Sequence, residues 1–214
     1  MKKLLLVFFF LLYTSAALWS QSDIKKLASS EISAFDLKLK IRAENTATLV
    51  ADFRQEKKMD MLKNKMISKG VFKYKREDKI AFFYSSPMVY HMIINGQWLR
   101  AFSNGSNMVF DLNNNPVMKE IRGLISASFT GNLSRAGSNY KIEYFSDSEG
   151  IIVSVVPLNR QLASIITEIR IYFSSQNAEI RRLKIEEGSG STTEYIFSNQ
   201  RINTDVHDED FKIS

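Results

Sequence analysis

Short segments in which apolar and polar residues alternate follow one another between Thr48 and Leu112. This period of two is typical of β-strands that bury one face. Asn95-Gly96 separates two of them, and Asn-Gly between strand patterns favours a β-hairpin. A sheet with a broad apolar face has to cover it with helices, a partner or a ligand, so this pattern favours binding of something hydrophobic. One set of alternate positions carries most of the apolar bulk: Phe72, Tyr74, Ile80, Phe82, Tyr84, Tyr90, Met92, Ile94, Trp98, Phe102, Met108 and Phe110.

Two helical patterns accompany the strands. Apolar residues recur at helical spacing over residues 23–43, where Ser22 or Asp23 can cap the helix. A second pattern over residues 118–129 suits a helical flap laid across the sheet. Five further strand patterns follow at 140–145, 151–156, 165–173, 179–186 and 192–197. The predicted fold class is mainly β with some α: about eleven antiparallel strands in an unclosed, curved sheet capped by helices.

The N-terminus has the features of an export signal. Lys2 and Lys3 precede an apolar stretch over residues 4–13, and small residues follow at 14–17. The stretch is short for a membrane span, which favours a cleaved signal peptide at residues 1–20 and a periplasmic protein. Residues 21–214 are then expected to form a single domain. The chain has no cysteine, so it can carry neither a disulfide nor a lipid anchor on an N-terminal cysteine.

Residues suited to catalysis are scarce. The two histidines, His91 and His207, lie in unrelated contexts, and no HExxH motif, glycine-rich phosphate loop or nucleophile elbow is present. Four acidic residues near the C-terminus lack the spacing of an EF-hand loop and are interpreted as a solvated turn: Asp205, Asp208, Glu209 and Asp210. The sequence therefore predicts no enzymatic activity, no catalytic residue, no cofactor and no metal site.

The charge pattern is mildly basic, with a formal net charge of +6. Lysines and arginines cluster in sequence between Lys57 and Arg76. Several of them would fall on the solvated face of strands, and the alternative is an acidic partner that docks on them. The excess is too diffuse to predict nucleic-acid binding.

Several motifs, in this order along the chain, resemble the family of periplasmic outer-membrane lipoprotein carriers known as LolA. A helix leads into Phe53-Arg54-Gln55, which is similar to the phenylalanine-x-glutamine strand of the family. Ser68-Lys69-Gly70 resembles its serine-x-glycine strand, and Tyr84-Ser85-Ser86-Pro87 its tyrosine-x-x-proline motif. Further matches are Ile93 to Gly96 and the run 190–199, followed by Asn203 and Phe211. The resemblance extends over nearly the whole of the expected mature chain.

This resemblance implies an unclosed half-barrel with a helical lid over an apolar cavity for acyl chains. The lid would contain Ile121, Leu124, Ile125 and Phe129, with the N-terminal helix as another part. In the family an arginine at the end of the second long strand hydrogen-bonds the lid backbone and holds the empty form closed. Arg76 matches this latch position, although Glu77 stands where the family has proline. The cavity would be lined by Phe53, Phe72, Tyr74, Phe82, Tyr84, Met92, Ile94, Trp98, Phe102, Met108 and Phe110.

The function implied by the resemblance is that of a monomeric periplasmic carrier, which shields the acyl chains of lipoproteins or related lipids between the inner and outer membranes. Expected partners are the cargo, an inner-membrane ABC-type transporter that releases it, and an outer-membrane acceptor as a further candidate. One alternative is a carrier of a non-protein lipid or a polyene pigment ester. A second is a periplasmic sensor, since a related half-barrel occurs in two-domain regulators that bind a membrane protein's periplasmic tail and respond to lipids.

Overall fold

The computed structural model describes residues 24–60, 64–76, 79–103, 105–114, 119–120, 122–124, 126–127 and 139–213. The strands are β1 Lys25–Lys26, β2 Thr48–Lys58, β3 Met66–Lys75, β4 Lys79–Ser86, β5 Tyr90–Asn95, β6 Trp98–Ser103, β7 Ser106–Asp111, β8 Tyr140–Ser146, β9 Gly150–Pro157, β10 Ile166–Ser174, β11 Ile180–Glu187 and β12 Thr192–Ile202. The helices are α1 Ser29–Glu44 and the short α2 Arg160–Ala163, with 3₁₀ turns at Leu112–Asn114 and Asp208–Phe211. Residues 119–120, 122–124 and 126–127 are also helical, and we refer to them as the crossing helix.

All twelve strands belong to one antiparallel sheet in the order β1-β8-β9-β10-β11-β12-β2-β3-β4-β5-β6-β7. Within the described residues the edge strands β1 and β7 do not pair with each other, so the sheet stays open. The predicted fold class, an unclosed antiparallel sheet with helices, is therefore confirmed. The additional strand is β1, whose two residues pair with Phe145 and Ser146 of β8.

The predicted start of the first helix is wrong by several residues. The backbone N–H of Leu27 donates to the carbonyl of Tyr144, so the chain runs as an edge strand before it turns into α1. Helix α1 begins at Ser29, where the side chain of Glu31 accepts a hydrogen bond of 2.7 Å from the backbone N–H of Ala28. The Glu31 carboxylate thereby accepts from one of the free N–H groups at the start of the helix. From the sequence, this capping role is expected of Ser22 or Asp23 instead.

The crossing helix shows how strongly the sheet is curved. The hydroxyl of Tyr140, on β8, donates to Glu120 at 2.6 Å, and Arg122 donates to the carbonyl of Gly96, just after β5, also at 2.6 Å. The strands β8 and β5 are eight steps apart in the sheet order. In a flat sheet eight steps would separate them by about 38 Å. Two residues of one helix contact both, so the sheet curls around this helix.

The inner face of the sheet, which is the concave one, carries the main apolar core. Phe35 and Leu39 of α1 and Leu124 of the crossing helix are buried against it. The Phe35 ring lies 5.2 Å from Phe173 and 6.2 Å from Tyr144, measured between centroids. Both helices therefore cover the same concave surface.

The outer face is covered in part by the C-terminal segment. Phe211 is fully buried in a second apolar cluster with Val50, Ala81 and Ile93. Burial of such a ring stabilises the fold by about 1.5–3 kcal/mol, more than exposed ion pairs contribute. The ion pairs give the segment its direction: Lys73 with Asp210 at 2.8 Å, Lys79 with Asp208 at 2.8 Å, and Lys75 with Asp208 at 3.1 Å.

This arrangement corrects two interpretations of the sequence. Asp208 and Asp210 are not part of a merely solvated turn, because each pairs with lysines of β3 or β4. Lys73 and Lys75, which belong to the basic cluster between Lys57 and Arg76, pair with carboxylates of the same chain and not with those of a separate acidic partner. Alternating charges on a strand do not reveal such a contact, since the paired residues are more than a hundred positions apart.

Gly70 permits close packing on the inner face. A Cβ atom at this position would overlap the carbonyl oxygen of Phe83 and lie 2.8 Å from the ring of Phe53. The aromatic ring thus occupies the space that a side chain of β3 would otherwise fill.

We predict that Gly70→Ala lowers the free energy of unfolding by about 1–3 kcal/mol, as overpacking of a core does. Gly123→Ala is the matched control, because a Cβ there has no neighbour within 4 Å and alanine favours a helix over glycine. Urea unfolding monitored by circular dichroism measures both. Equal stability of Gly70→Ala and the wild type would contradict the packing described.

Candidate functional site

The inner face concentrates aromatic side chains at the centre of the sheet. Phe53 contacts Phe82 and Tyr84 with centroid distances of 5.4 Å and 4.8 Å, and Phe72 contacts Phe82 at 4.9 Å. These are the edge-to-face and tilted geometries that aromatic pairs prefer. Six of the predicted cavity residues are buried in this core: Phe53, Phe72, Tyr74, Phe82, Tyr84 and Ile94. Met92 is partly buried against it.

The predicted placement of Trp98 and Phe102 on this face is wrong. Asn95 pairs with Trp98 across the two-residue turn Gly96-Gln97, so Ile94 pairs with Leu99. A two-residue turn therefore shifts the inner face from even to odd positions along β6. Trp98 and Phe102 consequently lie on the outer face, where Phe102 approaches His91 with a centroid distance of 5.9 Å.

The next turn restores the original alternation. Ser103 pairs with Ser106, so Met108 lies opposite Ala101 and Phe110 opposite Leu99, both on the inner face. Their side chains are about half exposed, at 51% for Met108 and 48% for Phe110. The apolar inner face therefore continues to the open edge β7, beyond the part that the helices bury.

Helix α1 packs closely on its part of the inner face. The cavity between α1 and the sheet, bounded by Leu39, Leu49, Tyr74 and Ile180, measures about 20 Å³. That is about the space needed for one water molecule. This cavity is therefore too small for an acyl chain.

The crossing helix occupies the position predicted for the lid. Leu124 is buried in the inner core, whereas Ile121, Ile125 and Phe129 lie outside the described residues. Glu120 and Arg122 attach this helix to opposite ends of the sheet, a role that the sequence analysis missed. Charged residues beside an apolar stripe normally indicate only the solvated side of a helix, so the sequence carries no signal for these contacts.

Arg76 binds the end of α1 and the loop that follows it. Its guanidinium donates to the carbonyl of Glu44 at 2.6 Å and to that of Thr46 at 3.3 Å. Glu44 is the last residue of α1, where free carbonyls favour a cation. Asn203 adds a bond of 2.8 Å to the carbonyl of Asn45. Arg76 thus lies at the junction of α1 and β2, and Glu77 lies outside the described residues.

A small group of polar atoms lies within the aromatic core. The hydroxyls of Tyr84 and Tyr195 are 3.1 Å apart, and Gln55 donates to the Tyr195 hydroxyl at 3.3 Å. The Tyr90 ring stacks on that of Tyr84 with centroids 3.9 Å apart. Burial raises the pKa of Tyr84 and Tyr90 and raises the pKa of Tyr195 to about 12. These phenols therefore stay neutral at physiological pH.

The part of the chain that the structure describes contains neither a candidate metal site nor a candidate membrane-spanning helix. No group of three or more histidine, cysteine, aspartate or glutamate residues could hold an ion there. Nor is any helix among those residues long and apolar enough to cross a bilayer.

The raised pKa values predict an alkaline weakness of the fold. Tyrosine in the unfolded chain ionises near pH 10, whereas Tyr195 keeps its proton until about pH 12. The unfolded state therefore binds fewer protons in this window, and the free energy of unfolding falls by up to about 1.4 kcal/mol per pH unit for each such group. Tyr195→Phe should make the fall between pH 10 and 11.5 shallower in urea titrations. An unchanged slope would contradict the burial of this phenol.

Comparison with solved structures places the fold among known ones. The crystal structure of MucB matches with a TM-score of 0.50 and 8% identity, over 86% of this chain and 63% of that chain. A LolA superfamily protein from Nitrosomonas europaea matches with a TM-score of 0.42 and 10% identity, over 83% of this chain and 97% of that chain. The Mycobacterium tuberculosis lipoprotein LppX matches with a TM-score of 0.43 and 9% identity, over 83% and 100%.

Sequence comparison adds the family. No curated protein matches the chain. The family model described as outer membrane lipoprotein carrier protein LolA matches residues 44–214. This match extends from the end of α1 through all the strands of the sheet except β1. The chain therefore belongs to the LolA family.

Proposed function

We propose that this protein is a periplasmic carrier that shields the acyl chains of lipoproteins, or of related lipids, on the inner face of its sheet. The observation that carries the proposal is the aromatic inner face, which two helices cover and which continues, half exposed, to Met108 and Phe110 at the open edge. The family description as an outer membrane lipoprotein carrier supports the same function. Export rests on the signal-like residues 1–20, which lie outside the described residues.

The energetics favour a surface of this kind. An acyl chain exposed to water costs about 0.8 kcal/mol per methylene, so a lipid with several chains needs an apolar surface to leave a membrane. A carrier must also release the cargo again. Helices that cover the same surface in the empty form compete with the cargo, and the affinity falls by the free energy of opening.

The contacts of the helices suggest how the opening free energy is set. The crossing helix is held at its polar side by Arg122 on Gly96 and by Tyr140 on Glu120. Helix α1 is held at its C-terminal end by Arg76 and Asn203. Because Arg76 lies at the junction with β2, it would fix the pivot of α1, while Arg122 and Tyr140 would act as the latch of the crossing helix.

Partners follow from the same proposal. A carrier of this kind takes cargo from an inner-membrane ABC-type transporter and passes it to an outer-membrane acceptor. Neither step requires a catalytic residue in the carrier. MucB, which has the same fold, occurs in a complex with MucA, but at 8% identity this likeness concerns the fold alone and gives no preference for a sensor.

We predict that Tyr140→Phe and Arg122→Gln raise the affinity for a fluorescent acyl probe about two- to tenfold and slow its release. Each variant removes one hydrogen bond that is present only in the closed form. Arg201→Gln, at an exposed arginine of β12, is the matched control. Stopped-flow transfer of the probe to vesicles gives the release rates. Wild-type rates in both latch variants would rule out the latch.

Arg76→Leu tests the pivot separately. Without the guanidinium, the carbonyls of Glu44 and Thr46 lose their partner and α1 closes less firmly. We expect slower release of the acyl probe, with Arg201→Gln again as the control. Unchanged release kinetics would exclude a role of Arg76 in closure.

The cargo itself is identified by native mass spectrometry and lipid extraction on protein purified from its own periplasm without detergent. Bound triacylated lipoprotein supports the proposed carrier. A stoichiometric glycerolipid or polyene pigment ester supports the mechanism with a non-protein cargo. Protein that is empty and also fails to take up an acyl probe overturns the carrier function and favours the sensor.

A further inference from the structure

The polar group within the aromatic core brings several hydrogen-bond donors together. Three phenol hydroxyls, those of Tyr84, Tyr90 and Tyr195, lie together with the amide of Gln55. Gln55 donates to Tyr195 and therefore takes up none of the three hydroxyl protons through this bond. Two pairs of these hydroxyls are neighbours, Tyr84 with Tyr195 and Tyr84 with Tyr90. One hydrogen bond in each pair uses two of the three hydroxyl protons, which leaves the third for another acceptor.

The surroundings make this an unusual place for several hydroxyl groups. Tyr84 and Tyr195 are buried, and the rings of Phe53 and Phe82 lie 4.8 Å from Tyr84 and 5.3 Å from Tyr195, respectively. A hydroxyl in such surroundings costs free energy unless it is hydrogen-bonded, a cost that a phenylalanine ring would not carry. A ligand that brings an acceptor atom would add a hydrogen bond here.

The group is also reachable from the rim of the sheet. Tyr90 and Gln55 are only partly buried. Tyr90 is the first residue of β5 and directly follows the exposed Met88 and Val89. A chain that enters from this rim would meet the hydroxyls before it reaches Phe72 and the deeper core.

We infer that Tyr84, Tyr90, Tyr195 and Gln55 form a subsite that binds the acyl carbonyl of the cargo, as an ester or an amide, while the attached chain lies on the inner face. This inference rests on the proposed carrier function. Neutral phenols can donate a hydrogen bond to the carbonyl oxygen of a ligand. Moving a neutral ester or amide into this apolar site costs less desolvation free energy than moving a charged carboxylate or phosphate there. The subsite would therefore prefer neutral acyl esters and amides to free fatty acids or plain hydrocarbons.

A thermodynamic cycle tests the subsite. Methyl palmitate and heptadecane serve as probes with and without a carbonyl group, measured by displacement of a fluorescent acyl probe. Tyr84→Phe, Tyr90→Phe and Tyr195→Phe each remove one hydroxyl and keep the ring. Tyr144→Phe is the matched control, because its hydroxyl pairs with Asp36 elsewhere on the inner face. Urea unfolding confirms that each variant is folded, and Tyr90→Phe, at a partly buried position, remains usable if the others are unstable.

We expect at least one of the three variants to weaken methyl palmitate binding about three- to tenfold, the effect of one neutral hydrogen bond, with no loss for heptadecane. The infrared band of a ¹³C-labelled carbonyl should lie at lower wavenumber in the wild type than in alkane solvent. The same variant should reverse this shift, and Tyr144→Phe should not. Dipalmitoylglycerol and a triacylated lipopeptide, measured in the same way, show which source of acyl carbonyls the subsite accepts.

The outcomes separate the two proposals. Binding of neither probe by the wild type overturns the carrier function and this inference with it. A second outcome is that the wild type binds both probes, the carbonyl band is not shifted, and every variant affects methyl palmitate and heptadecane equally. This result overturns the subsite and leaves the carrier function intact. A shift that disappears in a hydroxyl variant, for any of the acyl ligands, supports the subsite.

Discussion

The structure depends on one constraint: a curved sheet that does not close leaves an apolar concave face that water must not wet. Phe72, Phe82 and their neighbours fill that face, and among the described residues no second layer of strands covers it. Helix α1 and the crossing helix take this place within the described residues. A closed barrel would bury the same side chains permanently. An open sheet under helices can exchange its cover for another apolar surface, which is the physical basis of the proposed carriage of acyl chains.

The cover is attached by polar contacts at its ends and by apolar contacts along its length. Arg122 and Glu120 bind strands from the two ends of the sheet, and Arg76 holds the junction of α1 and β2. In the proposed carrier, a ligand of similar character would replace the apolar contacts of Leu124 and Phe35, whereas the polar contacts would be lost on opening. The balance between these two kinds of contact would then set the affinity. The C-terminal segment around Phe211 is on the outer face and leaves this exchange unobstructed.

Local patterns in the sequence predicted most of the sheet, because alternation with a period of two identifies a strand wherever one face is buried. The same rule failed at β6, since the turn Gly96-Gln97 contains two residues and exchanges the faces of Trp98 and Leu99. Contacts between distant residues, such as Lys73 with Asp210 or Arg122 with Gly96, leave no periodic trace. Nor did the sequence indicate the contact between the hydroxyls of Tyr84 and Tyr195, because it joins β4 to β12 across two other strands.

The central claim is that acyl chains bind to the inner face, and neighbouring isoleucines of β5 test it most directly. Ile94 belongs to the inner core, whereas Ile93 belongs to the outer cluster. With ¹³C-labelled isoleucine methyl groups, a fatty acyl ester that carries a nitroxide near its chain end should broaden the NMR signals of Ile94, Ile80 and Ile171. The signals of Ile93 and Ile152, on the outer face, should broaden less. Equal broadening of both sets, or broadening of the outer set alone, would contradict the account.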